Sequence, residues 1–295
     1  MTRRAGSPPE AEDLASVLRA AGCVFAEEEA AILLQAARSP EHLARMTAQR
    51  TEGAPLEHVV GEVEFAGLRL SVGPGAFVPR QRTRLLAEAA VAALTSSGAA
   101  GLVGVEAYCG VAPVAAYVRA RLPRVRVHAI DDDPVPLAHA RRNLGDGGQV
   151  PADEEAARRA DVHRGNVLTG LPRELHGRVD VIAAVPPYVP DAKAPLLPRE
   201  AREGEPSAAL LGGRDGLGPM RALTRAAPSW LAPRGRLLVE MHTPQAATAA
   251  RWAERHGWSA STLDGDDGQT SVLSLTRVPR LGPASGTPRP LTARE

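Results

Sequence analysis

Between Leu102 and Thr276 short apolar runs alternate with segments of helical period, and few architectures accept that order. LVGVEAY from Leu102, VRVHAID from Val125, VDVIAAV from Val179 and GRLLVEM from Gly235 read as strands. VHRGNV from Val162 reads as a shorter strand, and Trp258–Leu263 with Thr270–Thr276 as a closing pair. VAAYVRARL from Val114, PLAHARRNL from Pro136, GPMRALTRAAPSWL from Gly218 and a segment around Ala246–His256 read as the intervening helices. Strands separated by helices predict a mainly parallel sheet covered on both faces. Ligands of such a sheet bind outside the carboxyl ends of its strands, where the strand order reverses.

The first part of the chain has a different character. Residues 10–50 carry helix-period patterns, LASVLRAAG from Leu14 and EAAILLQAARS from Glu29, broken by Gly22 and by Ser39-Pro40. They predict a small helical bundle. From Pro55 the pattern changes, and alternating E-V-E-F and L-R-L-S-V around Ala66-Gly67 predict a β-hairpin. TRLLAEAAVAAL from Thr83 then reads as a helix ending at Ser96-Ser97-Gly98. The organisation expected is a helical domain over 1–54, a hairpin linker over 55–82, a large domain over 83–278 and a disordered tail over 279–295. The sequence shows no internal repeat.

Composition removes several classes. With 295 residues, 44% of them hydrophobic, and a formal charge of +1, the chain can bury a sizeable core. No apolar stretch approaches the roughly 20 residues needed to span a bilayer, and no signal-peptide apolar region follows Arg4. Cys23 and Cys109 are the only cysteines, too few for a disulfide framework. A cytoplasmic monomer is the expectation. Lys193 is the only lysine among many arginines. No block of five like charges occurs, so the arginines read as a compositional bias, and neither nucleic acid nor membrane is expected as a partner.

Candidate chemistry lies just after each strand. Glu106-Ala107-Tyr108-Cys109-Gly110-Val111-Ala112 follows the first, and Asp131-Asp132-Asp133-Pro134 the second. Gly165-Asn166-Val167 follows the third, and Val185-Pro186-Pro187-Tyr188 the fourth. Asp131, at a strand end, is placed to accept both hydroxyls of a ribose. Asp133 before Pro134 suits helix capping. The first loop keeps only Gly110 where a bound cofactor would favour several glycines. It does not match G-x-G-x-x-G, which argues against a dinucleotide oxidoreductase, and there is no P-loop. No His, Cys or Asp cluster has metal-ligand spacing. His128 and His163 lie within strand patterns and read as core or surface residues.

The Pro-Pro-Tyr turn and several blocks in order resemble the HemK/PrmC family of protein N(5)-glutamine methyltransferases. PLEHVVGEVEFAGL from Pro55 resembles the family's linker, and FVPRQRTR from Phe77 its "PRxxTE" signature. VRVHAIDDDPVPLAHARRNL from Val125, PREAREGEPSAALLGGRDGLGPMRAL from Pro198 and WLAPRGRLLVE from Trp230 resemble later blocks. The resemblance implies a class I S-adenosylmethionine-dependent methyltransferase, an α/β fold with a Rossmann-like mixed seven-stranded sheet and a small N-terminal helical domain. It implies S-adenosyl-L-methionine as cofactor, held by Glu106, Tyr108, Cys109, Gly110, Val111, Ala112, Asp131, Asp132, Asn166 and Val167. It also implies a protein acceptor, a peptide chain release factor or another glutamine-bearing protein, engaged partly through the helical domain.

Phe77, Pro79 and Arg80 then belong to the substrate site, with Val185, Pro186, Pro187 and Tyr188 as the catalytic turn. That turn in the family is Asn-Pro-Pro-Tyr. Its Asn oxygen and a prolyl carbonyl are thought to accept the amide N–H bonds and aim the nitrogen at the methyl group. Here Val185 replaces the Asn, Tyr108 and Ala112 fill glycine positions, Asn166 stands for an Asp, and Arg84 reverses a Glu. These departures carry an alternative: a catalytically impaired member that binds cofactor or protein without turnover.

Overall fold

The computed structural model describes residues 9–98, 101–145 and 159–278, so the expected tail over 279–295 lies outside the described residues. Helices α1 (Pro9–Ala20), α2 (Ala26–Ala36) and α3 (Pro40–Thr51) pack around Leu18, Leu33 and Met46. The Ser39 side chain accepts from the His42 N–H and caps α3, with Pro40 in the first turn. Buried Arg50 donates to both oxygens of Glu29, at 2.6 and 3.0 Å, which joins α3 to α2. The linker segment opens on a short helix, α4 (Leu56–Val60), ended by Gly61 in the left-handed region. Five residues are too few to show a helical period, which is why the sequence read only the hairpin. That hairpin is present as β1 (Glu62–Phe65) and β2 (Leu68–Ser71). Ala66 and Gly67 both take positive φ at its turn, as a type I′ turn requires.

Helix α5 (Arg84–Ser97) leads into the sheet. The chain then runs β3 (Val103–Ala107), α6 (Pro113–Arg121), β4 (Arg126–Asp131), α7 (Pro134–Leu144), β5 (Ala160–Arg164) and β6 (Val179–Ala184). It continues with α8 (Arg199–Gly204), α9 (Ser207–Leu210), α10 (Gly218–Ala226), β7 (Leu231–His242), α11 (Thr243–Glu254), β8 (Trp258–Asp264) and β9 (Thr270–Arg277). The strands form one seven-stranded sheet in the order β5-β4-β3-β6-β7-β9-β8. The first five in that order pair in parallel, and β9 pairs antiparallel with both β7 and β8. The sheet is therefore mixed, as expected. Among the described residues no helix is long and apolar enough to cross a membrane.

Alternation along the strands builds two cores. Val127, Ala129, Val181, Ala183 and Leu238 face α5, α6 and α7. Val105, Ile182, Val239 and Leu275 face the other way, toward Met220 and Leu223 of α10 and Ala249 and Ala253 of α11. From β3 the chain moves outward through β4 to β5, then returns to place β6 on the other flank of β3. The loops after β3 and β6 consequently diverge and leave a crevice between them.

Asn143 near the end of α7 fastens the hairpin to that crevice. Its side chain accepts from the Ser71 N–H at 2.7 Å and donates to the carbonyls of Ser71 and Val111 at 3.1 and 2.8 Å. Asn143→Ala would strand these backbone groups in the interior. We expect it to lower the unfolding free energy by roughly 2–4 kcal/mol, from about 1–3 for each buried group left unpaired, read as a shifted urea midpoint. A shift within error would mean that water replaces the amide.

Candidate active site

A cleft of about 1250 Å³ opens over the carboxyl ends of β3, β4 and β6. Single small-molecule sites occupy roughly 300–1000 Å³, so there is room for a cofactor and an acceptor together. Every residue expected at the site lines this cleft except Ala112, which is fully buried behind it.

The loop after β3 keeps a glycine-type backbone without the glycines. Tyr108, Gly110 and Ala112 have φ of 52°, 52° and 62°. A non-glycine residue there costs on the order of 1–2 kcal/mol. The loop is held by the Cys109 N–H to the Ile130 carbonyl at 3.1 Å and by the Ala112 N–H to the Cys109 carbonyl at 2.7 Å. Tyr108 lays its ring along the second core, with its hydroxyl 3.3 Å from the Pro219 carbonyl. Burial pushes its phenol up to about 12. The Cys109 thiol is also raised by burial and is no nucleophile at neutral pH.

The two acids expected beside the cofactor do different things. Glu106 is fully inside and accepts the Val114 and Ala115 N–H groups at 3.2 and 2.7 Å, capping α6 from the neighbouring strand. Burial outweighs those bonds and pushes its carboxyl up to about 8. Asp131 accepts the Gly110 N–H on one oxygen at 2.9 Å and the Asp133 N–H on the other at 3.1 Å. Asp131 lines the cleft, and a carboxylate oxygen that accepts one bond can accept another. Burial raises this carboxyl too. Asp133 caps α7 through the Val135 N–H, as the sequence indicated. Val167, beside Asn166, sits at φ 58°, a strained place for a β-branched residue.

At the end of β6, Val185 lines the cleft and packs its other side on the first core. Among the described residues no hydrogen bond is made to the carbonyls of Pro186 or Pro187. The Tyr188 carbonyl accepts from Gln245 at 3.0 Å. A Cβ on Gly212 would collide with the Pro187 carbonyl, and one on Gly216 with the Tyr188 carbonyl, so the GGRDGLG segment must approach the turn as bare backbone. Arg80 stacks on the Phe77 ring at 4.8 Å and donates to both oxygens of Glu205, each at 2.6 Å. Glu205 also receives the Val78 N–H, so this pair fixes the wall that holds Pro79.

Two further residues take part: Arg82, which the sequence places near the cleft with an open role, and Glu240, which it does not single out. Arg82 donates to the Tyr188 hydroxyl at 2.8 Å, and its Nε lies 3.8 Å from Glu240 of β7. Glu240 is 1% exposed and one of its oxygens has no partner. Its carboxyl is pushed up to about 7, chiefly by burial. The apolar strand GRLLVEM carried the signal, since an acid inside such a run must face something polar. His128 and His163 lie away from the cleft and meet each other at 2.9 Å. Among the described residues no cluster of His, Cys, Asp or Glu is arranged to hold a metal ion.

Comparison with known proteins adds to this geometry. No protein-family model matches the chain. It is similar to the release factor glutamine methyltransferase of Streptomyces coelicolor, 33% identical over 216 residues that cover 72% of each chain. It is similar also to the 4-amino-L-phenylalanine/4-methylamino-L-phenylalanine methyltransferase of Streptomyces pristinaespiralis, 32% identical over 241 residues, 78% of this chain and 77% of that one. Among solved structures, the T. thermophilus 16S rRNA N2 G1207 methyltransferase in complex with AdoMet and guanosine aligns with a TM-score of 0.50 and 17% identity. That alignment covers 73% of this chain and 49% of the other, and it speaks to the fold alone.

The buried Glu240 sets a pH dependence of stability. Its carboxyl ionises near 7 in the folded chain and near the ordinary ~4.3 in the unfolded one. The stability tied to its protonated form is therefore complete below about pH 4 and is lost as pH rises through 7. Glu240→Gln is expected to flatten that fall in urea midpoints measured between about pH 5 and 8, leaving the like-signed slope from Glu106. An unchanged slope would show that the carboxyl is ionised throughout.

Proposed function

The chain belongs to the release factor glutamine methyltransferase family, and on that premise we propose that it methylates a nitrogen presented at the Pro186-Pro187-Tyr188 turn. It is an S-adenosylmethionine-dependent methyltransferase. The acceptor proposed first is a side-chain amide of glutamine in a peptide chain release factor or another protein, engaged by a monomeric enzyme in the cytoplasm. The observation that carries this reading is the Pro186 carbonyl, unbonded among the described residues, in a turn that shares one cleft with Asp131 and the loop at Gly110.

S-adenosylmethionine supplies, when bound, a methyl group made electrophilic by its sulfonium. The residues fit it: Asp131 has lone pairs to receive ribose hydroxyls, and Gly110 offers backbone without a side chain. Tyr108 lines the cleft, and Ala112 is buried behind it. Asp132, Cys109 and Val111 complete that wall, and Asn166 with Val167 flank the place of the base. Glu106 serves by fixing α6. On the acceptor side, the Pro186 carbonyl accepts an N–H bond and orients the nitrogen, work that is positional and needs no strong base. Tyr188 covers the acceptor, and Phe77, Pro79 and Arg80 form the opposite wall. A non-catalytic binding module is not favoured, because the relatives matched across most of the chain are enzymes.

Val185 favours a second reading. It offers no side-chain oxygen to an amide N–H, whereas an amine brings its own lone pair and needs less holding. The relative from Streptomyces pristinaespiralis carries an aromatic amino acid amine in its name, and an acceptor of that kind would fit this turn.

Two measurements test the proposal. Calorimetry is expected to detect S-adenosylhomocysteine binding, weakened by roughly tenfold or more in Asp131→Ala, the worth of a charge-assisted hydrogen bond; no heat at millimolar ligand would sink the enzyme reading. Val185→Asn is expected to raise methyl transfer to a glutamine-bearing release-factor fragment, by up to the order of 10²–10³ that one positioned hydrogen-bond partner contributes. If the variant gains nothing on the fragment, the amide is not the acceptor, and transfer to 4-amino-L-phenylalanine becomes the decisive assay.

A further inference from the structure

Two arginines line the cleft beside the Tyr188 turn, and they are not equivalent. Nη2 of Arg80 donates to both oxygens of buried Glu205 and its guanidinium stacks on the Phe77 ring, so its charge is matched by a carboxylate in full contact. Arg82 spends one N–H on the Tyr188 hydroxyl, and no other hydrogen bond to its guanidinium is present among the described residues. Glu240, its nearest carboxylate, stands at 3.8 Å, beyond hydrogen-bond reach. Glu240 is itself buried, lacks a partner on one oxygen, and is held by burial near the edge of ionisation at neutral pH, so it compensates Arg82 only in part. Asp267, the other acid in range, is bound to its own loop through Gln269 and Thr270. A guanidinium with most of its five N–H groups free, fixed by one bond to the tip of the ring that covers the acceptor, is a fork without an occupant.

We propose that Arg82 is the anion-recognition residue of the acceptor site, receiving a carboxylate carried by the methyl acceptor beside the Tyr188 hydroxyl. This rests on the reading of the cleft as a methyl-transfer site. The carboxylate then lies about one tyrosine side chain away from the nitrogen held at the Pro186 carbonyl. A planar carboxylate matches two adjacent N–H groups of the fork, which a neutral ester or amide does only weakly.

The test uses the full chain saturated with S-adenosylhomocysteine. One arm compares 4-aminobenzoate with its methyl ester; the other compares a glutamine peptide bearing a neighbouring glutamate with the same peptide bearing glutamine there. The expected result is a preference of about tenfold or more for the charged probe in one arm, which identifies whether the carboxylate belongs to a small molecule or a peptide. Arg82→Gln should erase that preference, and Arg82→Lys, which keeps the charge, should retain part of it; the pair separates lost charge from lost folding. Equal binding of charged and neutral probes in both arms, no binding of any probe, or a preference that survives Arg82→Gln would overturn the proposal. Failure of S-adenosylhomocysteine to bind would instead remove the methyltransferase reading, while a charge preference dependent on Arg82 would still stand.

Discussion

The parting of β3 and β6 is the constraint on which the site depends. The two strands share a parallel register from Gly104–Val181 to Ala107–Ala184, yet their following loops turn to opposite faces of the sheet. Parallel strands need crossover connections, and right-handed crossovers on either side of β3 force this divergence. The cleft is the space left over. Asp131 reaches into it from β4 and binds the Gly110 N–H across the strand boundary, so one carboxylate ties the first two loops together.

The loop after β3 shows tertiary structure overruling local preference. Tyr108 and Ala112 hold backbone angles that glycine would adopt at no cost. They are kept there by the Glu106 carboxyl on α6, by the Cys109 N–H on β4 and by the Asn143 amide on the Val111 carbonyl. Val167 is held in the same way next to Asn166. Strain of this kind persists only where the surroundings over-determine the conformation, and here it collects where the loops after β3 and β5 meet the cleft. At the turn after β6 the means is different. Gly212 and Gly216 let backbone lie against the carbonyls of Pro187 and Tyr188, which holds the turn in place.

Much of this was legible in the sequence, for identifiable reasons. Strand–helix alternation gave the parallel core, and the Ala66-Gly67 turn gave the hairpin. The capping role of Asp133 was legible because it precedes Pro134, whereas the bonds of Asp131 to the Gly110 and Asp133 N–H groups were not. Other features had no local signature. Helix α4 is too short for a period, and the pairing of His128 with His163 joins neighbouring strands whose register the sequence does not print. Glu106 was expected beside the cofactor, and its bonds to α6 became visible only with the helix in place.

The sequence by itself determined the order of elements, the family and the turn at Pro186-Pro187-Tyr188, because periodicity, proline and strand-end acids act over a few residues. Tertiary structure alone decided which arginine meets a carboxylate in full contact and which does not. Arg80 and Arg82 are two residues apart in the same segment, but Glu205 and Glu240 come from distant parts of the chain. Only the fold sets one carboxylate in full contact and holds the other, buried and half-partnered, just out of reach.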